Sequence, residues 1–182
     1  MAYRNGTYVA FYAQGTSDPT ESDMKYYNTL RMWDKNSSFE FNFINSHEKT
    51  RAVRDSSTKA TLEEVLKERL RNSKNMILII GSTTKYDRDW IPFEVSYAID
   101  DCEIPIIATY PNYNSILAPD QLSDLWPAAL AERIKDGTAK VIHIPFREKA
   151  IMAAISQFDH NNPPKTSLSY YNREAYQGWG YV

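Results

Sequence analysis

Apolar residues along this chain fall in short runs separated by stretches of helical periodicity, and that alternation predicts the order of the elements. Residues 8–13, Tyr8-Val9-Ala10-Phe11-Tyr12-Ala13, form a first run closed by the breaker-rich Gln14-Gly15-Thr16-Ser17-Asp18-Pro19, which predicts a buried strand. Ser22 or Asp23 then offers a cap for a helix over residues 24–35, with Tyr26, Tyr27, Leu30 and Trp33 on one face. Residues 39–45 alternate, with Phe39, Phe41 and Phe43 on one side, and predict a second strand. After a polar loop over 46–60, Thr61-Leu62-Glu63-Glu64 predicts a capped helix start continuing through Val65, Leu66 and Arg69. Residues 76–80 are continuously apolar, as in a strand covered on both faces of a parallel sheet. Two more strands are predicted over 104–109 and 140–145, and helices over 120–135 and 148–158.

Strands alternating with helices imply right-handed crossovers and an open parallel sheet covered on both faces. The predicted class is therefore α/β, a flavodoxin-like three-layer fold with a central five-stranded parallel sheet. Pro163-Pro164 marks a composition shift, which divides the chain into a domain over 1–160 and an aromatic tail over 161–182. The tail carries Tyr170, Tyr171, Tyr176, Trp179 and Tyr181, so packing on the domain or on a partner is expected rather than disorder.

Composition narrows the partners. At 182 residues the chain suits one well-buried domain, and its net charge of −2 lacks the basic excess that binds nucleic acid phosphates. Cys102 is the only cysteine, which excludes an internal disulfide and a cysteine-rich metal site and fits a reducing cytoplasm. Flanked by Asp101 and Glu103, its thiol is expected to be structural. The apolar runs are strand-sized and the first residues lack a signal-peptide core, so no membrane association is expected.

In folds of this kind ligands bind at loops beyond the carboxyl ends of the strands, and function is argued from those loops. A phosphoacceptor domain would need an acidic pair after the first strand and an aspartate ending the third, where this chain has Ala13-Gln14 and Ile80-Gly81. Gly15-Thr16-Ser17 is a weak phosphate cradle, with Asp18 and Glu21 opposing a bound phosphate. Dinucleotide, P-loop and nucleophile-elbow signatures do not occur, and His47, His143 and His160 lack ligand spacing. What remains is Asp89-Trp90-Ile91-Pro92-Phe93-Glu94, following residues 76–80 and Gly81-Ser82. Four apart on a helix, Trp90 and Glu94 share a face and set an indole beside a carboxylate.

Strand, polar loop and W-x-x-x-E opening a helix resemble TIR domains, specifically their NAD-consuming branch, and more closely the TIR-like family of the bacterial Thoeris antiphage system. The resemblance implies that Glu94 is catalytic and that NAD is a substrate rather than a cofactor. It further implies scission of the nicotinamide–ribose bond to give a cyclic ADP-ribose isomer. That diffusible nucleotide would activate a separate effector after a phage-derived trigger, with self-association through TIR surfaces on activation. Candidates for the substrate-binding residues around Glu94 are Phe11 and Tyr12, Asn45 and Ser46, Ser82 and Thr83, and Trp90. Phe11 and Trp90 offer rings for stacking, although Phe11 equally suits the core, and the others offer hydroxyl or amide groups. At an ordinary pKa near ~4.3, Glu94 would be ionised at neutral pH. Electrostatic stabilisation, a hold on the ribose hydroxyls and transient nucleophilic attack all remain open for it. Two other classes stay in play: a non-catalytic TIR-like interaction module, and an enzyme like the nucleoside deoxyribosyltransferases, which uses a glutamate nucleophile on nucleosides.

Overall fold

The computed structural model describes residues 4–14, 22–36, 43–45 and 58–182. Its sheet is built from β1 (Gly6–Ala10), β2 (Phe43–Asn45), β3 (Ser73–Ile79), β4 (Ile106–Tyr110) and β5 (Val141–Pro145), all parallel, with a two-residue β6 (Ser169–Tyr170) added beside β5. The helices are α1 (Met24–Asn36), α2 (Lys59–Arg71), α3 (Trp90–Ser96), α4 (Ala128–Lys135), α5 (Glu148–Gln157) and α6 (Arg173–Trp179). Strand order is β2-β1-β3-β4-β5-β6, so the direction of winding reverses between β1 and β3. This is the three-layer α/β fold of flavodoxin-like and TIR-like domains.

The apolar strands are buried on both faces, and their alternation sorts side chains into two cores. Tyr8 and Ala10, Met76, Leu78 and Ile80, Ile106, Ala108 and Tyr110 pack with Leu66, Leu70, Ile91, Val95 and Leu130 of α2, α3 and α4. Val9 and Phe11, Ile77 and Ile79, Ile142 and Ile144 pack with Tyr27, Leu30, Ile151 and Ile155 of α1 and α5. α1, in the leftward connection from β1 to β2, covers one face, and α2, α3 and α4, in the rightward connections from β2 to β5, cover the other, as right-handed connections require; α5, which follows β5, lies on the α1 face.

Several boundaries differ from the sequence expectation for identifiable reasons. The cap of α2 is Thr58, whose hydroxyl accepts from Thr61 N, so the helix starts before the Thr61 box. The stretch 120–135 is two pieces: a 3-10 helix at Pro119–Leu125, then α4. Trp126 is extended and Pro127 stands where the second piece begins. Residues 39–42 of the expected second strand lie outside the described residues; within the described ones Phe43–Asn45 pairs with β1, Tyr8 opposite Ile44 and Val9 opposite Asn45.

The last segment folds back on the sheet. β6 pairs with β5 through Ile142 and His143, covering an edge that would otherwise expose unpaired backbone groups. α6 is capped by Asn172, whose side chain accepts from Ala175 N at 3.0 Å, and it ends at Gly180, where φ of 79° is the left-handed turn glycine tolerates. Tyr176 is fully buried and donates its hydroxyl to Ile116 O at 3.3 Å, while Tyr171, Trp179 and Tyr181 pack against the α1–α5 core. Tyr176→Ala is therefore expected to cost about 3 kcal/mol or more, the usual penalty for truncating a buried aromatic, read as a lower urea midpoint with unchanged slope.

Candidate active site

Glu94 occupies the second turn of α3, beside the reversal of winding between β1 and β3 where open α/β sheets bind ligands. The start of α3 is set from outside the helix. Asp87, itself buried, accepts from Asp89 N at 2.8 Å and from Trp90 N at 3.0 Å, satisfying two backbone donors of the first turn. Pro92 falls within that first turn, where its missing N–H costs no helical bond.

The preceding loop is held just as closely. Gly81 N donates to the hydroxyl of Thr84 at 2.8 Å, and that oxygen also lies 3.1 Å from Asp23 Oδ2. A Cβ on Gly81 would stand 2.5 Å from Asp23 Oδ1, so any larger residue there requires the Asp23 carboxyl to move away from the end of β3. Asp23 was a cap candidate for α1; its carbonyl accepts from Tyr26 N and Tyr27 N, while its carboxyl turns to Thr84. Burial pushes the Asp23 carboxyl above the usual range, partly offset by the Thr84 hydrogen bond. Gln14, in the left-handed region at φ 53°, donates Nε2 to Thr83 Oγ1 at 2.6 Å and ties the loop after β1 to the loop after β3.

Glu94 is only 2% exposed, and Oε1 accepts from the Tyr8 hydroxyl at 2.5 Å. Its second oxygen, Oε2, is buried without a hydrogen-bond partner among the described residues. Burial, assisted by the nearby Asp87 charge and opposed by the Tyr8 hydrogen bond, pushes the Glu94 carboxyl up to about 8. This differs from the ordinary, ionised glutamate expected from the sequence: burial shifts the balance of the resting carboxyl toward the protonated acid.

The other candidates separate. Trp90 is half-buried, edge-on to Phe93 with centroids 6.4 Å apart and with Lys59 Nζ 5.8 Å from its ring centre. Thr83 is joined to Gln14, Ser82 is exposed, and Tyr12 is half-buried just past β1. Phe11 is corrected: it is 2% exposed and stacks on Tyr27, centroids 5.1 Å apart, in the core on the opposite sheet face from Glu94. Alternation along β1 sends Tyr8 to the Glu94 side and Phe11 away from it. Asn45 closes β2 opposite Val9; its side chain and Ser46 lie outside the described residues.

Tyr8, Asp87, Thr84 and Asp23 were not singled out as site residues. The signal available for Tyr8 was a phenol inside an otherwise apolar strand, whose hydroxyl needs a partner once buried. Elsewhere, Cys102 is buried and its thiol is pushed up by that burial, with Arg4 opposing, so it has no reactive thiolate character. No helix among the described residues is long and apolar enough to cross a membrane.

A three-layer sheet with an acid seated at its switch point on a W-x-x-x-E helix defines a TIR-like domain. Residues 8–116 match the family model of the Thoeris protein ThsB, TIR-like domain, a span that runs from Tyr8 within β1 to beyond β4 and contains every residue of the site described above. The chain belongs to this TIR-like family of Thoeris antiphage defence. The matched span ends at Ile116, the residue whose carbonyl receives Tyr176 from the tail.

Proposed function

We propose that the chain cleaves the nicotinamide–ribose bond of NAD and converts the remainder to a cyclic ADP-ribose isomer that signals to a separate effector. The observation that carries this reading is Glu94: a buried acid with one oxygen held and one unpartnered, at the sheet's switch point, in a chain of the Thoeris TIR-like family. A carboxyl buried at this energetic cost is typical of groups retained for chemistry.

The chemistry asks little of the protein in acid catalysis. The C1′–N bond breaks with its electron pair moving to the pyridinium nitrogen, so nicotinamide leaves neutral and needs no proton. A ribosyl oxocarbenium develops at C1′, and a carboxylate beside it stabilises that charge. Attack by a nucleophilic group of the same molecule gives a cyclic isomer once that group has lost its proton, whereas attack by water gives linear ADP-ribose and a proton. Folding the dinucleotide back and excluding water favours the cyclic outcome. A pyridinium cation arriving beside Glu94 favours the ionised carboxylate, so substrate binding itself supplies the charge the reaction requires. Trp90 offers its half-exposed indole to a ring of the substrate, and Ser82 and Thr83 offer hydroxyls to ribose or phosphate.

The test is release of nicotinamide from NAD, set against base release from deoxynucleosides, by wild-type protein and Glu94→Gln. The expected result is nicotinamide release that falls about a thousandfold in the variant, with deoxynucleosides untouched, as for loss of a principal transition-state charge. Turnover of deoxynucleosides would support the transferase class instead. An inert protein indistinguishable from its variant would support an interaction module.

A further inference from the structure

Tyr8 lies in the middle of β1, fully buried, with a ladder partner on each side, Ile44 of β2 and Met76 of β3. A strand so flanked is a rigid mount, and the phenol rises from it toward α3 to meet Oε1 of Glu94 at 2.5 Å. The geometry is asymmetric: one carboxyl oxygen is held by the sheet, and the other is buried with no donor or acceptor among the described residues. Buried polar atoms are nearly always paired, so an orphaned oxygen on a held carboxyl marks the place of a group that arrives with a ligand.

We propose that Tyr8 is a positioning residue for Glu94, its O–H holding Oε1 so that Oε2 is the oxygen that meets the ribose of the dinucleotide. The substrate part of this inference rests on the NAD reading above; the hold of Tyr8 on the carboxyl does not. Fixing one oxygen removes the rotation that would let either oxygen face the substrate, so the productive geometry exists before binding. Because the phenol donates, it also favours the carboxylate over the acid, opposing the desolvation of the site and the charge of Asp87. Among the described residues, other ionisable groups at this end include Asp23 on Thr84, Lys85 and the exposed Arg88 in the loop leading into α3, and the exposed Lys59 and Asp89 beside Trp90.

Tyr8→Phe keeps the ring and removes only the donor. The expected result is a fall in kcat of about ten- to a hundredfold, the usual worth of a hydrogen bond to a charged group, with KM within about twofold. The acid limb of the pH–rate profile moves to higher pH, because the variant's carboxylate has lost its donor. A ¹³C-labelled glutamate titration followed by NMR without NAD, assigned with Glu94→Gln, is expected to show the same upward movement. Incorporation of 3-fluorotyrosine at Tyr8 retains the shape and strengthens the donor, so the Glu94 titration is expected to move down; this arm decides the matter if Tyr8→Phe fails to fold. An unmoved Glu94 titration in both variants, or a raised KM with unchanged kcat, overturns the proposal. If wild-type protein leaves NAD intact, the substrate reading falls, and the titration alone decides whether Tyr8 holds the carboxyl.

Discussion

Replacing Glu94 by Gln is expected to stabilise the protein at pH 8.5 and to leave its stability nearly unchanged at pH 4.5. Burial raises the Glu94 carboxyl from an ordinary 4.5 to about 8, so the folded state binds a proton that the unfolded state releases over that interval. The sign follows directly: stability is fully present below pH 4.5, where both states are neutral, and is lost as pH rises through about 8. At about 1.4 kcal/mol per pH unit, the whole interval amounts to as much as about 5 kcal/mol, which Gln, a neutral isostere, does not lose. For a chain of this size that corresponds to a difference in Tm on the order of 10 °C at alkaline pH. Melting curves of both proteins from pH 4.5 to 9 check this; parallel curves would mean that Glu94 is solvated and ionised throughout. A variant that is more stable and inactive is the signature of a site whose chemistry is held at the expense of stability.

The second large effect lies in the core beneath β4 and β5. His143 is fully buried, and its Nε2 lies 2.9 Å from Ser167 O, a carbonyl that can only accept. The proton of the neutral ring is therefore on Nε2, and Nδ1 accepts from the Tyr110 hydroxyl at 2.7 Å. Tyr110 in turn accepts from Trp126 Nε1 at 2.9 Å. Tyr110→Phe removes one oxygen and strands two groups, an indole N–H and an imidazole nitrogen, at a cost of about 2–4 kcal/mol. A urea titration is expected to show this loss, while Tyr113→Phe, at the exposed neighbour, is expected to leave the midpoint in place. The same network gives an acid limit. Desolvation pushes His143 down to about 4, so stability present above pH 6.5 declines as pH falls toward 4, where the unfolded histidine takes a proton and the folded one does not.

Strands β1, β3, β4 and β5 were legible because continuous apolar runs of five or six residues, bounded by polar turns, leave few alternatives in a chain that alternates with helical periods, whereas the two-residue β6 has no such run. Trp90 and Glu94 were legible for a local reason, since four-residue spacing on a helix fixes a shared face without any knowledge of the rest of the fold. Tyr8 was not, because its meeting with Glu94 spans 86 positions and depends on how α3 packs over β1. Phe11 and Tyr8 show the limit of reading one strand: alternation separates them, but only the packed helices reveal which face carries the acid. The upward shift of Glu94 is illegible for the same reason, because burial by the packed helix, not the chemistry of a carboxyl in water, drives it. The helix over 120–135 was read through its break because helical periodicity continues across Trp126-Pro127 while the backbone does not.

The most direct test of the central claim is a mass-spectrometric assay of NAD incubated with the full chain, alone and with lysate from phage-infected cells, beside Glu94→Gln. The expected products are nicotinamide and a nucleotide of cyclic ADP-ribose mass, both absent with the variant. Intact NAD under both conditions, or the same products from the variant, would contradict it.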